Sequence, residues 1–136
     1  MRGGLNLDPL IGLDAAGAQD FGNATYGLYL LRSGNNLIGG TTPAERNVIS
    51  GNDQFGIHIA GPPGPAGGNV IQGNYIGTNA AGTAAIPNPI GVYVYETSNA
   101  TVGGAAAGAG NLISGNSAHG VELFVSDPQP GTAGMA

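Results

Sequence analysis

Cysteine is absent from the 136 residues, which excludes disulfides, thiolate catalysis and cysteine-held metals and leaves the redox compartment open. Basic residues are nearly absent too. Three Lys and Arg against eight Asp and Glu give a net charge of -5, too few cations to track a phosphate backbone, so nucleic acid is not an expected partner. No apolar run approaches the ~20 residues of a membrane-spanning helix, and no membrane insertion is expected. The opening Met1-Arg2-Gly3-Gly4-Leu5 lacks the apolar stretch of a signal peptide. Helix is excluded almost everywhere, because Gly or Pro interrupts nearly every window of about six to eight residues and no stripe of period 3.6 survives.

What the chain has is 27 Gly, 9 Pro and 41% apolar residues, the last grouped in short Val, Ile and Leu pairs that argue against disorder. It also repeats itself. Gly27-Leu28-Tyr29-Leu30 returns as Gly91-Val92-Tyr93-Val94, and Asn47-Val48-Ile49-Ser50-Gly51-Asn52 returns as Asn111-Leu112-Ile113-Ser114-Gly115-Asn116, at a constant offset of 64 (91 minus 27, 111 minus 47). Within that unit a strand-opening Gly recurs at 27, 56, 91 and 120, and each interval holds three strand-like stretches. Each interval is therefore one turn of a three-sided solenoid.

Stacking equivalent stretches gives three columns. The first aligns Leu28 and Leu30 with Ile57 and Ile59, Val92 and Val94, Val121 and Leu123; the second aligns Ile38, Ile71 and Val102; the third aligns Ile11, Ile49, Ile76 and Ile113. Alternation of period two turns these aliphatics inward and their neighbours outward. Asn occupies the corners of the third column, with Asn47, Asn74 and Asn111 before its strands and Asp14, Asn52, Asn79 and Asn116 after them. Asn tolerates left-handed backbone, and its amide bonds an identical amide one coil away, so Asn47, Asn52, Asn74, Asn79, Asn111 and Asn116 are expected as structural ladders.

The phrases NLIGGTTPAERNVISGN (36–52), GGNVIQGNYIGTNAAGTAAIPN (67–88) and GNLISGNSAHGVEL (110–123) resemble those of bacterial right-handed parallel β-helix repeat proteins with the pectin-lyase-like solenoid. The resemblance covers about residues 10–125. It implies an all-β, right-handed parallel β-helix of about four coils and an extracellular or cell-surface setting, but no single activity, since the fold hosts enzymes and non-catalytic stalks alike. The expected organisation is one β-helix segment over 1–136, with a repeat core at 10–125 and a linker tail at 126–136. No capping helix is evident at either end, so the chain reads as a fragment or module with flanking coils.

The outer face of the first column carries the candidate site. Tyr29, His58, Tyr93 and Glu122 fall in one line at roughly 4.8 Å per coil, with Leu31, Ala60, Tyr95 and Phe124 in a line beside them. Sugar rings stack on such aromatic rings, and His and carboxylate bond hydroxyls, so Tyr29, His58, Tyr93, Tyr95, Glu122 and Phe124 are the candidate ligand-binding residues. A polysaccharide or another protein would be the partner. The same strip also serves as an aromatic ladder that stabilises the sheet by about 0.2 to 1 kcal/mol per cross-strand pair.

Catalysis is not expected. Glycoside hydrolysis needs two carboxylates about 5 to 9.5 Å apart, and neither Glu122 nor Glu96 has an acidic mate in the adjoining coil. His58 and His119 do not make a metal site, and calcium-binding nonapeptides are missing, so no metal or cofactor is expected. The short Gly61-Pro62-Pro63-Gly64-Pro65 run reads as a stiff loop between the first and second columns. The expected role is a non-catalytic scaffold module of an exported or surface protein. The alternative is a carbohydrate-binding module, or the remnant of a polysaccharide lyase or hydrolase, using the first column's outer face.

Overall fold

The computed structural model describes residues 9–61 and 67–126. The stiff loop after Gly61 and the linker tail beyond Ser126 therefore lie outside the described residues.

Short apolar runs flanked by left-handed Gly become strands too brief to stand alone, and they gain stability only by stacking on their repeat-mates. The first column is β2 (Tyr26–Leu31), β5 (Phe55–Ala60), β8 (Ile90–Tyr95) and β11 (His119–Phe124). The second is β3 (Leu37–Gly39), β6 (Val70–Gln72) and β9 (Thr101–Val102). The third is β1 (Leu10–Ile11), β4 (Val48–Ile49), β7 (Tyr75–Ile76) and β10 (Leu112–Ile113). Every pairing between these strands is parallel. The chain is a parallel β-solenoid of about three turns, a little short of the four coils that the spacing of Gly27, Gly56, Gly91 and Gly120 suggests.

The register is the one the repeat implies. Tyr29 pairs with His58, His58 with Tyr93, and Tyr93 with Glu122, while Ile38, Ile71 and Val102 align in the second sheet. Inside, Ile38, Ile49, Ile57, Ile59, Ile71, Ile76, Val92 and Val94 form one continuous core. Each fully buried aliphatic contributes about 1.5 to 3 kcal/mol, which is the main stabilising term for a chain so rich in Gly. A single 3-10 turn, Pro43–Glu45, follows a capping box in which the Glu45 carboxylate accepts from the N–H groups of Thr41 and Thr42 and the Thr42 hydroxyl.

The Asn ladders are present, with a changed membership. In one, the backbone N–H and Nδ2 of Asn47 both donate to Oδ1 of Asn74, and those of Asn74 to Oδ1 of Asn111, at 2.9 to 3.1 Å. The second runs Asn23, Asn52, Asn88, Asn116 with the same bonding. Asn79 is not a rung of it. Its Oδ1 instead accepts from the N–H groups of Thr83 and Ala84 within its own loop, as that of Asp14 does from Ala18 and Gln19. Those donated N–H groups, led by that of Ala18, hold the Asp14 carboxyl below its ordinary pKa.

The reason is an insertion. Ile49 to Asn52 and Ile113 to Asn116 are three positions, whereas Ile11 to Asn23 and Ile76 to Asn88 are twelve. The extra nine residues form a small antiparallel loop in alternate coils, closed by the bridges Leu13 to Asp20 and Thr78 to Ala85. The loops stack on each other across the intervening coil through Ala80 N–H to the Gly17 carbonyl at 2.9 Å. A third, shorter ladder joins Asn36 to Asn69.

Candidate functional site

The two loops fold back over the outer face of the third sheet. A Cβ at Gly82 would sit 2.8 Å from the Tyr75 ring, and one at Gly17 would sit 3.4 Å from Leu10 Cδ2, so that face is covered. The Arg46 guanidinium lies over the Tyr75 ring, 4.1 Å from its centroid, and its Nε donates to the Gly73 carbonyl, which commits that cation. Among the described residues the first sheet has no such cover, and Tyr29, Leu31 and Phe124 on its outer side are exposed.

On this open face successive coils present three corner pairs. They are Leu31 with Arg32, Ala60 with Gly61, and Tyr95 with Glu96; the backbone ladder continues through them by Arg32 N–H to the Ala60 carbonyl and Gly61 N–H to the Tyr95 carbonyl. The small pair sits between two large ones. The result is a notch of about 530 Å³ with Ala60 and Gly61 as its floor, Leu31 and Tyr95 as opposite walls, and Tyr29, His58 and Tyr93 along its third side. Arg32 and Glu96, of opposite charge, also line it, and both hold left-handed backbone at φ 51° and 50°. Left-handed geometry is costly for residues other than Gly, Asn and Asp.

Of the six candidate binding residues, the fold brings Tyr29, His58, Tyr93 and Tyr95 into the notch. Phe124 lies behind Tyr95, stacked on it at 5.2 Å between centroids and 8° between planes. Glu122 stands beside Tyr93 in register and faces the other way along its strand, 3.9 Å from the His119 imidazole. His119 is the exposed first residue of β11. Among the described residues no three His, Asp or Glu side chains gather as a metal site.

The rings are packed on one another as well as open to solvent. Tyr26 and Phe55, which precede the strand-opening Gly residues, extend the strip: Tyr26 stacks on Tyr29 at 4.6 Å and Phe55 on Tyr93 at 5.1 Å. Their alignment one position before Gly27 and Gly56 is the sequence signal that would have found them. His58 is the centre of this cluster, 4.9 Å from each of Tyr29, Phe55 and Tyr93. Both its ring nitrogens are closed to solvent without a hydrogen-bond partner among the described residues. Desolvation lowers its pKa from the ordinary 6.5. The Tyr93 phenol is raised by desolvation first, then by the Glu122 charge and Tyr95.

His58 gives the stability a pH dependence. The folded state holds the imidazole neutral, so below the ordinary value of 6.5 the unfolded chain binds the extra proton. Stability is expected in full above that pH and to fall as pH drops toward the depressed folded value. His58→Phe should flatten this part of the profile. Thermal unfolding of both proteins between about pH 5 and pH 8 checks it, and an unchanged slope in the variant would remove His58 as the cause.

No protein-family model, no curated protein and no solved structure matches the chain. Fold and site together define a parallel β-solenoid with one covered sheet and one open aromatic sheet.

Proposed function

We propose that the chain is a non-catalytic scaffold, a rigid segment of a right-handed parallel β-helix of the pectin-lyase-like kind, belonging to an exported or surface protein of bacterial type. The observation that carries this reading is the interior. Three sets of Asn rungs and an unbroken Ile and Val stack tie each coil to the next, so the side chains that the repeat holds constant are the ones that fix shape. Such a module spaces and orients whatever is attached to it, and flanking coils of the same kind are its natural neighbours.

A second reading has its own support in the notch. Its volume suits a single sugar ring or two, its walls are aromatic or aliphatic, and Arg32 and Glu96 supply polar groups of both signs at one rim. A saccharide lying against Tyr93 and Tyr95 would use these for its hydroxyls. One experiment separates the two readings: a broad glycan array probed with the protein and with the Tyr93→Ala, Tyr95→Ala double variant, folding checked by circular dichroism. The scaffold reading expects silence from both folded proteins. Binding by the parent that is lost at least about tenfold in a folded double variant would overturn it in favour of saccharide recognition at the notch.

A further inference from the structure

The outer face of the first sheet is a stack of rings with one short rung. Leu31, Ala60, Tyr95 and Phe124 follow one another in register, one per coil. Phe124 lies against one face of the Tyr95 ring, at 5.2 Å between centroids and 8° between planes. On the other side of that ring the next rung is Ala60, so Tyr95 and Leu31 stand across a single methyl group, two coils or roughly 9.6 Å apart. A slot one coil wide opens between them, within the notch. A flat ring set in it would lie roughly 4.8 Å from Tyr95, inside the usual separation of stacked aromatics and close to that of Phe124 on the far side. Elsewhere along the strip the rings turn their faces to each other, as Tyr26 does to Tyr29 at 4.6 Å and Phe55 to Tyr93 at 5.1 Å.

The rim of the slot carries two charges of opposite sign. Arg32 and Glu96 directly follow Leu31 and Tyr95, and the corner between them is Gly61, which has no side chain. Two coils apart, they do not pair with each other, and neither side chain has a hydrogen-bond or ion-pair partner among the described residues. Both hold left-handed backbone, at φ 51° and 50°, so charge is placed where Gly or Asn is the easier choice. Costly backbone at two unpaired charges beside a cleft points to a ligand.

We propose that the notch binds a free aromatic amino acid, its ring in the slot over Ala60 and its head over Gly61, with the α-carboxylate on Arg32 and the α-ammonium on Glu96. Two charge-assisted bonds of about 2.7 to 2.9 Å, with the carboxylate and ammonium of one α-carbon between them, close a span of the two-coil order. The head is dipolar as the rim is, whereas a neutral sugar leaves both charges without a counterpart. Such binding needs the solenoid alone and is compatible with silence on a glycan array.

The chain has no Trp, so the fluorescence of added L-tryptophan is read without any protein indole. Its anisotropy is followed as the protein is titrated in, beside tryptamine, which lacks the carboxylate, and indole-3-propionate, which lacks the ammonium. Saturable binding of L-tryptophan is expected, at least about tenfold tighter than that of either analogue. Arg32→Gly and Glu96→Gly keep each left-handed corner with the residue that suits it. Arg32→Gly should weaken L-tryptophan about tenfold and leave tryptamine unchanged, and Glu96→Gly should weaken L-tryptophan about tenfold and leave indole-3-propionate unchanged. Ala60→Leu gives the short rung the side chain of its repeat-mate Leu31, closes the slot and should abolish binding of all three ligands. Circular dichroism checks the fold of every variant. No saturable binding of L-tryptophan by the folded parent overturns the assignment, and so does equal binding of the three ligands or undiminished binding by folded Ala60→Leu. Should Ala60→Leu fail to fold, the two glycine variants decide, and L-tryptophan binding unchanged in both overturns it.

Discussion

Gly73→Ala is expected to cost about 3 kcal/mol or more, a large share of the stability of a domain of this size. Two effects add. Gly73 sits at φ 70°, where a Cβ costs roughly 1 to 2 kcal/mol, and the new methyl would overlap the Gly40 carbonyl oxygen of the adjacent coil. Relief is blocked because neighbouring corners are bonded on both sides, by Gly40 N–H to the Gln72 carbonyl at 3.0 Å and Gly73 N–H to the Ala109 carbonyl at 3.2 Å. The overlapping atoms are backbone, and moving them moves a whole coil. Gly110→Ala is the control. Nothing lies within 4 Å of its added Cβ and its φ is not positive, so its effect is expected to stay within about 0.5 kcal/mol, measured by the same urea titration. Equal losses in the two variants would show that the coil-to-coil approach at Gly73 is not tight.

The repeat made the columns and their register readable from the sequence, because a period-two strand slipped by one residue would turn Leu28, Ile57 and Val92 outward and Tyr29 and Tyr93 inward. The second Asn ladder was only half readable. Asn52 and Asn116 lie three positions beyond Ile49 and Ile113, and applying that offset to Ile76 selects Asn79, whereas the nine-residue loop displaces the true rung to Asn88. An offset counted along the chain fails wherever an insertion leaves the coil and returns to it. The signal present in the sequence was the parallel twelve-residue spacing of Ile11 to Asn23 and Ile76 to Asn88.

The aromatic line was legible for the same reason as the columns. The notch was not, since it arises from a contrast between coils, Ala60-Gly61 set between Leu31-Arg32 and Tyr95-Glu96, and not from any residue type by itself. His58 shows the limit of reading a face as outward. It points away from the core, yet four aromatic rings close around its nitrogens. Outward in a strand pattern means only away from the interior; exposure depends on what the adjoining strands carry.

Asn88→Ala is the second large effect, expected at about 3 to 4 kcal/mol. Asn88 is fully buried. Its Oδ1 accepts both the N–H and the Nδ2 of Asn52 at 3.0 Å, and its own Nδ2 reaches the Ile49 carbonyl at 3.1 Å and Asn116 Oδ1 at 3.0 Å. Truncation would leave the buried Asn52 N–H without a partner, at a cost of about 1 to 3 kcal/mol, would strip one bond each from Asn52 Nδ2, the Ile49 carbonyl and Asn116 Oδ1, and would open a small cavity between coils. Asn79→Ala removes bonds within an exposed loop and is expected to cost about 1 kcal/mol.

Stacked coils are thus held in register by interior Asn rungs that pass over Asn79 and through Asn88. Denaturant unfolding of Asn88→Ala beside Asn79→Ala puts this to the test. The rungs predict a loss for Asn88→Ala about threefold that of Asn79→Ala, in a single transition with an unchanged denaturant slope. A loss at Asn79 equal to or greater than that at Asn88 would refute the role given to them.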